Sequence, residues 1–407
     1  MVEAVPLGKV RHGFCATLAL PGRGRECYGG AMTTSAWSGA HGIVAPMHVR
    51  HLEAYQPGKP IEELERELGI SGVLKVASNE NPLGPSPLAT AALLEHVQRL
   101  HLYPDAGGWE LRRGLARALD VDLTWLALGN GSNDLLYQLV LATCEPDHQV
   151  LSHAAAFLSY RLSAQVAGRK FVAANTTADL ALDADALIAA ITPRTRLILL
   201  GSPNNPTGSV VSDADARRVL AAMPADCLLV LDEAYFEYAQ AWPEFSRADG
   251  LTLLRADPRV VVLRTFSKIY GLAGLRVGYA VAAPAVIELL GRVTRTFHVG
   301  TLAQAAALAA LGDTEFVARS QAVARQAVEA YRDRLALPGG TVHRSAANFV
   351  LVDLGRPAEL VYQAMLRQGV IVRPMAAWGL PNCIRISAAL PADVQRVIAA
   401  VQDAFAA

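Results

Sequence analysis

The sequence predicts an α/β protein with a large, mostly parallel sheet and a smaller α+β domain. Three observations carry that expectation. From about residue 60 onward, short apolar runs alternate with longer helical patterns, as strand–helix units require. Four runs, at residues 123–128, 196–200, 227–231 and 260–263, read as buried strands, and each leads directly into a polar or Gly-rich segment. Beyond residue 296 the pattern changes to a long Ala-rich helical stretch followed by short strand and helix patterns.

The first 45 residues, rich in Gly with scattered Arg and His, lack apolar periodicity and a signal-peptide core. They are expected to form a loosely attached leader, with Met32 or Met47 as an alternative start. Residues 46–78 are assigned to the N-terminal side of the smaller domain, 79–297 to the large domain and 298–407 to the smaller one. In the large domain, helices are expected at 134–141 and 212–222, the latter capped by Ser212 or Asp213. The smaller domain should contain a strand at 348–353, a helix at 358–368, and strands at 370–373 and 383–387. In open α/β sheets ligands bind at the carboxyl ends of the strands, so the segments following the four apolar runs are the places to seek chemistry.

Composition narrows the function. At 407 residues and 52% hydrophobic, the chain can bury two cores. Its 37 basic and 37 acidic residues cancel, and no basic stripe offers the field that nucleic acid requires. The longest apolar stretch, at 302–311, is interrupted by Gln304 and is too short for a bilayer, so no membrane role is expected. Five scattered cysteines without a C-x-x-C pair read as reduced thiols of a cytoplasmic protein. Ten histidines without metal-ligand spacing argue against a metal.

The segments at the strand ends are specific. The first is Ser202-Pro203-Asn204-Asn205-Pro206-Thr207-Gly208, which alone is an ordinary turn. Next come Asp232 and Tyr235, three residues apart at the end of an apolar strand, where an Asp alone is more often a cap. Thr265-Phe266-Ser267-Lys268 then precedes the Gly-rich run from Gly271 to Tyr279, which contains Arg276. A lone Lys is usually solvated, but one placed between a Ser and a Gly-rich turn, eight residues before an Arg, suggests an amine held near an anion site.

In this order and spacing the segments resemble fold type I pyridoxal-phosphate enzymes of the class I/II aminotransferase group, and within it most resemble the histidinol-phosphate aminotransferases. The likeness runs from about residue 50 to the end. It includes Tyr55-Gln56-Pro57-Gly58, Ser78-Asn79-Glu80-Asn81-Pro82, Tyr103-Pro104-Asp105, Gly129-Asn130-Gly131-Ser132, Asn348-Phe349, Val372-Arg373-Pro374, Gly379-Leu380-Pro381 and Ile384-Arg385-Ile386-Ser387.

The resemblance implies pyridoxal 5'-phosphate as cofactor and assigns roles. Lys268 is the amine that would form a Schiff base with the cofactor aldehyde and later carry protons. Asp232 would hold the ring nitrogen protonated, Tyr235 and Asn205 would bond the phenolic oxygen, and Phe157 would stack on the ring. Gly131, Ser132 and Asn133 open a helix that would receive the phosphate together with Ser267 and Arg276. Tyr103 would reach that phosphate from a neighbouring subunit, implying a homodimer with shared active sites. Arg385, with Arg373 and the partner's Tyr55, would grip the anionic groups of an amino donor and a 2-oxo acid acceptor.

Some positions depart from the family pattern. His298 stands where the family often has Asn-Val-Asn, as a substrate contact or as a histidine bonded to backbone. Ala376-Ala377-Trp378 replaces a common Gly-Tyr pattern, and Ser387-Ala388-Ala389 replaces a Gly-Thr turn. These departures leave the cofactor chemistry in place and bear on substrate. The leading expectation is amino transfer between L-histidinol phosphate and 2-oxoglutarate. The alternatives are an aromatic or other amino-acid transaminase, a decarboxylase resembling threonine-phosphate decarboxylase, and, least favoured, a non-catalytic sensor module.

Overall fold

A computed structural model describes residues 45–50, 52 and 58–407. The expectations for residues 1–44 and for Tyr55 lie outside the described residues. After a short strand β1 (Leu74–Lys75), seven strands build the large sheet: β2 (Leu126–Gly129), β3 (Gln149–His153), β4 (Lys170–Ala174), β5 (Thr195–Gly201), β6 (Leu228–Asp232), β7 (Val260–Thr265) and β8 (Gly278–Ala282). Their order is β2-β8-β7-β6-β5-β3-β4. All run the same way except β8, which is antiparallel to both its neighbours.

The apolar runs form these strands because both faces of the sheet are covered. In β5 and β7, Ile198, Leu200, Val260 and Val262 pack into one cluster with Leu111, Leu115 and Leu220. Their alternates Leu197, Leu199, Val261 and Leu263 pack on the opposite face with Leu135, Leu139 and Leu290. Each such side chain contributes roughly 1.5–3 kcal/mol by leaving water. With no polar face, the sheet leaves its carboxyl edge as the place for charged groups.

Local signals set the element ends. Ser212, not Asp213, caps the helix Asp213–Ala222, its hydroxyl accepting the Asp215 N–H at 3.0 Å. The run expected as a strand from 123 begins as a 3-10 turn capped by Asp122, so β2 starts only at Leu126. Thr301–Ala310, past the boundary expected at residue 298, buries Ala303, Ala306, Ala307 and Ala310 in a cluster of the large sheet.

Five further strands follow: β9 (Thr341–Val342), β10 (Phe349–Asp353), β11 (Val370–Ile371), β12 (Arg373–Pro374) and β13 (Cys383–Ser387). Four of them form a sheet in the order β12-β13-β10-β9. The single strand expected at 370–373 is split, because β11 pairs in parallel with β1 instead, joining the N-terminal segment to this region. A core of Val350, Val352, Ile384, Ile386, Val397 and Val401 packs this smaller sheet against the C-terminal helix Pro391–Ala406.

A buried ion pair fastens β6 to β7. Glu233 accepts from Arg264 Nε at 2.9 Å and from the Gly250 N–H at 2.9 Å, and both charged residues are almost wholly buried. Removing one partner of such a pair strands the other charge in the interior. Glu233→Ala is therefore expected to lower stability by about 3–5 kcal/mol in urea unfolding. A change within about 0.5 kcal/mol would show the pair to be solvated.

Candidate active site

The carboxyl edges of β5, β6 and β7 border a cavity of about 230 Å³, closed on its far side by β12 and β13. Among its lining residues are Ser132, Asn133, Phe157, Asn205, Asp232, Tyr235, Ser267, Lys268, Arg276, Arg373 and Arg385. Residues far apart in sequence thus share one chamber, because the segments after strands of the large sheet face Arg373 and Arg385 on the smaller one.

Two ionisable groups sit on its floor. Asp232, the last residue of β6, accepts the Tyr160 hydroxyl at 3.1 Å and the Ala234 N–H at 3.2 Å. Burial raises its carboxyl to about 6, against the opposing pull of those two bonds. Lys268, three residues past β7, donates to the Ser78 carbonyl at 3.1 Å, and its Nζ lies 5.6 Å from the centre of the Tyr235 ring. Burial first, then the guanidiniums of Arg385 and Arg276, lowers its ammonium to about 8, against Glu80 and Asp232. A fraction of this amine is therefore neutral and nucleophilic near physiological pH.

At one end of the chamber lies a cup for an anion. The helix Ser132–Thr143 begins there after Gly131, whose φ is +81°. A Cβ at Gly131 would fall 2.5 Å from Arg276 Nη2, and one at Gly278 would fall 2.5 Å from the Ser132 nitrogen. Glycine at both places lets backbone and guanidinium close in. Arg276 Nη1 donates to the Ser267 hydroxyl at 3.2 Å, and Thr265 Oγ1 holds Ser267 through its backbone N–H at 3.1 Å. Helix N–H groups, a hydroxyl and a guanidinium thus border the same end of the chamber, the groups an anion needs.

The opposite wall carries two arginines. Arg373 on β12 and Arg385 on β13 are directly opposite in the antiparallel register. Like charges so placed repel unless an anion lies between or beside them. Arg385 donates to Asn205 Oδ1 and to the Ala77 carbonyl, each at 2.6 Å. The guanidinium of Arg373 lies 5.4 Å from the centre of the Trp378 indole, which also lines the chamber.

Not every expected residue is in this chamber. Tyr103 lies on the surface, 82% exposed, stacked on Phe297 with ring centres 4.6 Å apart. His298 is also outside it, with Nε2 at 2.9 Å from the Leu128 carbonyl, as its plain structural alternative anticipated. Conversely, Tyr160 and Asn79 line the site with no role expected for them. Tyr160 had one signal: in the helix Leu158–Val166 it follows Phe157 by three residues, so both rings reach the same chamber, edge to face.

A buried carboxylate at the floor, an amine beside it, an anion cup and a flanking aromatic ring fit a phosphorylated pyridine aldehyde. Fold and site define a fold type I pyridoxal-phosphate-dependent transferase. The family model "Aminotransferase class I and II" matches residues 71–401, and the chain belongs to that family. It is 46% identical to a histidinol-phosphate aminotransferase of Anaeromyxobacter sp. (strain Fw109-5), over 88% of this chain and 98% of that protein. To histidinol-phosphate aminotransferase 2 of Pseudomonas aeruginosa it is 43% identical, over 88% and 96%. Among solved structures, histidinol-phosphate aminotransferase from Sinorhizobium meliloti in complex with pyridoxal-5'-phosphate superposes with a TM-score of 0.79 at 28% identity, covering 88% of this chain and 97% of that one.

The raised Asp232 carboxyl has a consequence for stability. Its folded value of about 6 lies above the ordinary 3.8, so the folded protein holds the proton more tightly than the unfolded chain does. Ionised Asp232 thus costs stability above about pH 6, and the cost disappears as pH falls below about 4. A displacement of about two pH units corresponds to roughly 3 kcal/mol. Cofactor-free Asp232→Asn should therefore melt higher than the wild type at pH 8, with the difference closing toward pH 4. An equal gap at both pH values would show that the carboxylate is not strained by burial.

Proposed function

We propose that the protein transfers an amino group between L-histidinol phosphate and 2-oxoglutarate, using pyridoxal 5'-phosphate held on Lys268. The observation that carries this reading is the facing pair Arg373 and Arg385 on the wall opposite the amine. Two cations there suit a donor with a phosphate ester and an acceptor with two carboxylates, taken in turn. The named relatives support the same donor.

When bound, pyridoxal phosphate supplies an electron sink for negative charge at the substrate α-carbon. The chain's own residues do the rest. Ser132, Asn133, Ser267 and Arg276 would hold the phosphate, with Gly131 leaving room for Arg276. Asp232 would accept from the ring nitrogen and keep its proton in place, while Tyr160 and the Ala234 N–H fix the carboxylate. Asn205 presents Oδ1 to Arg385, which leaves its amide N–H groups for the ring oxygen. Phe157 would cover one face of the ring. Lys268, once released, would take the proton from the substrate α-carbon, a task its lowered basicity suits.

The same reading includes a homodimer. Leu94, Leu100, Leu102, Tyr103 and Trp109 are all exposed, a concentration of apolar surface that favours a partner. Tyr103 of one subunit would then complete the anion cup of the other. A cytoplasmic location is part of the proposal: Cys144, Cys227 and Cys383 are free, buried thiols, and no described helix is long and apolar enough to cross a membrane.

The test is spectroscopic. The visible band of the bound cofactor should bleach on adding histidinol phosphate and return with 2-oxoglutarate, and Lys268→Ala should abolish this cycling. A band that ignores histidinol phosphate but bleaches with phenylalanine or tyrosine would move the donor to aromatic amino acids. Release of carbon dioxide without an oxo acid would establish decarboxylation instead. Loading of cofactor-free protein should accelerate as pH rises through about 8, where Lys268 loses its proton.

A further inference from the structure

Tyr235 faces the cavity, but its hydroxyl is governed from behind by Asn79. Asn79 Nδ2 donates to the Tyr235 oxygen at 2.8 Å. Asn79 Oδ1 accepts from the Ser387 hydroxyl at 2.9 Å, and the same hydroxyl accepts the Asn79 N–H at 2.8 Å. The Asn79 carbonyl accepts from Asn348 Nδ2 at 3.1 Å. All these polar groups of a residue only 1% exposed are thus committed. Its backbone is held at φ +55°, in the left-handed region that few side chains but Asn and Asp tolerate. Strain of this kind persists where the surroundings over-determine it, and it collects at functional sites.

The direction of the chain of bonds follows from its members. Ser387 has one hydroxyl proton, which goes to Asn79 Oδ1, so the amide must present N–H to Tyr235. A phenol oxygen that already accepts from behind keeps its own proton for a partner in front. We propose that Asn79, locked by Ser387, is a positioning residue that turns the Tyr235 hydroxyl into an obligate donor toward the ligand oxygen in the cavity. Ser387 and Arg385 lie two residues apart on β13, so the strand that offers a guanidinium to the substrate also sets the polarity of Tyr235. Asp232, Lys268 and Arg385 are the charged groups around this phenol, and none of them replaces the amide donor behind it.

This inference rests on the reading of the cavity as a pyridoxal-phosphate site, and its test is cofactor affinity, measured by titrating cofactor-free protein with pyridoxal phosphate. Asn79→Gly tolerates the left-handed backbone and removes the donor, so affinity should fall several-fold. Asn79→Asp keeps the shape but offers an acceptor, which draws the Tyr235 proton backward, and affinity should fall about tenfold or more, the worth of a hydrogen bond to a charged group. In a Tyr235→Phe background the step from Asn79 to Gly should shrink to within about twofold. Wild-type affinity in both single variants would overturn the proposal, as would an undiminished step in the Tyr235→Phe background. A wild-type protein that binds no pyridoxal phosphate would overturn the reading of the cavity together with the proposal, whereas failure of the cycle alone overturns only the role of Asn79.

Discussion

The site depends on keeping two ionisable side chains out of water at one edge of a sheet that is apolar on both faces. Asp232 ends β6 and Lys268 follows the end of the neighbouring β7 by three residues, and desolvation displaces the charge of each. Their opposite displacements bring a carboxyl and an amine into the range where both exchange protons near neutrality. The hydrophobic clusters above and below β5, β6 and β7 hold that edge rigid, and the Glu233–Arg264 pair fastens the strands just behind the chemistry. The folding energy of the apolar layers thus sustains an electrostatic arrangement that would not persist on a looser frame.

The smaller sheet supplies the opposite wall of the cavity. Its register sets Arg373 against Arg385, so two guanidiniums belong to the same wall of the cavity. Backbone and side-chain bonds from Ala77, Asn79 and Asn348 tie this sheet to the segment leading into the large one. The walls of the cavity therefore share hydrogen bonds, although they come from different sheets.

Much of this was legible in the sequence. The strand-end segments bearing Asn205, Asp232, Tyr235, Ser267, Lys268 and Arg276 are local patterns whose position after apolar runs carries their meaning, and all six line the cavity. What escaped was long-range. The bond from Tyr160 to Asp232 spans 72 positions and that from Ser387 to Asn79 spans 308, so no spacing rule reaches them. The opposition of Arg373 and Arg385 depends on strand register, which a one-residue slip would abolish. Tyr103 shows the converse: its motif was visible, but in a single chain the ring rests on Phe297 at the surface.

The reversed strand β8 fixes the course of the chain beside the site. Because the chain turns back immediately after β7, Lys268 and Arg276 lie on one short connection between antiparallel strands. That connection is pinned at Gly271, where a Cβ would sit 2.0 Å from the Gly84 carbonyl oxygen. Lys268 and Arg276 are therefore held eight positions apart on a connection whose two ends run into β7 and β8. Adding or removing a residue between them would shift the amine against the guanidinium, because the close contact at Gly271 leaves the connection nowhere to take up slack.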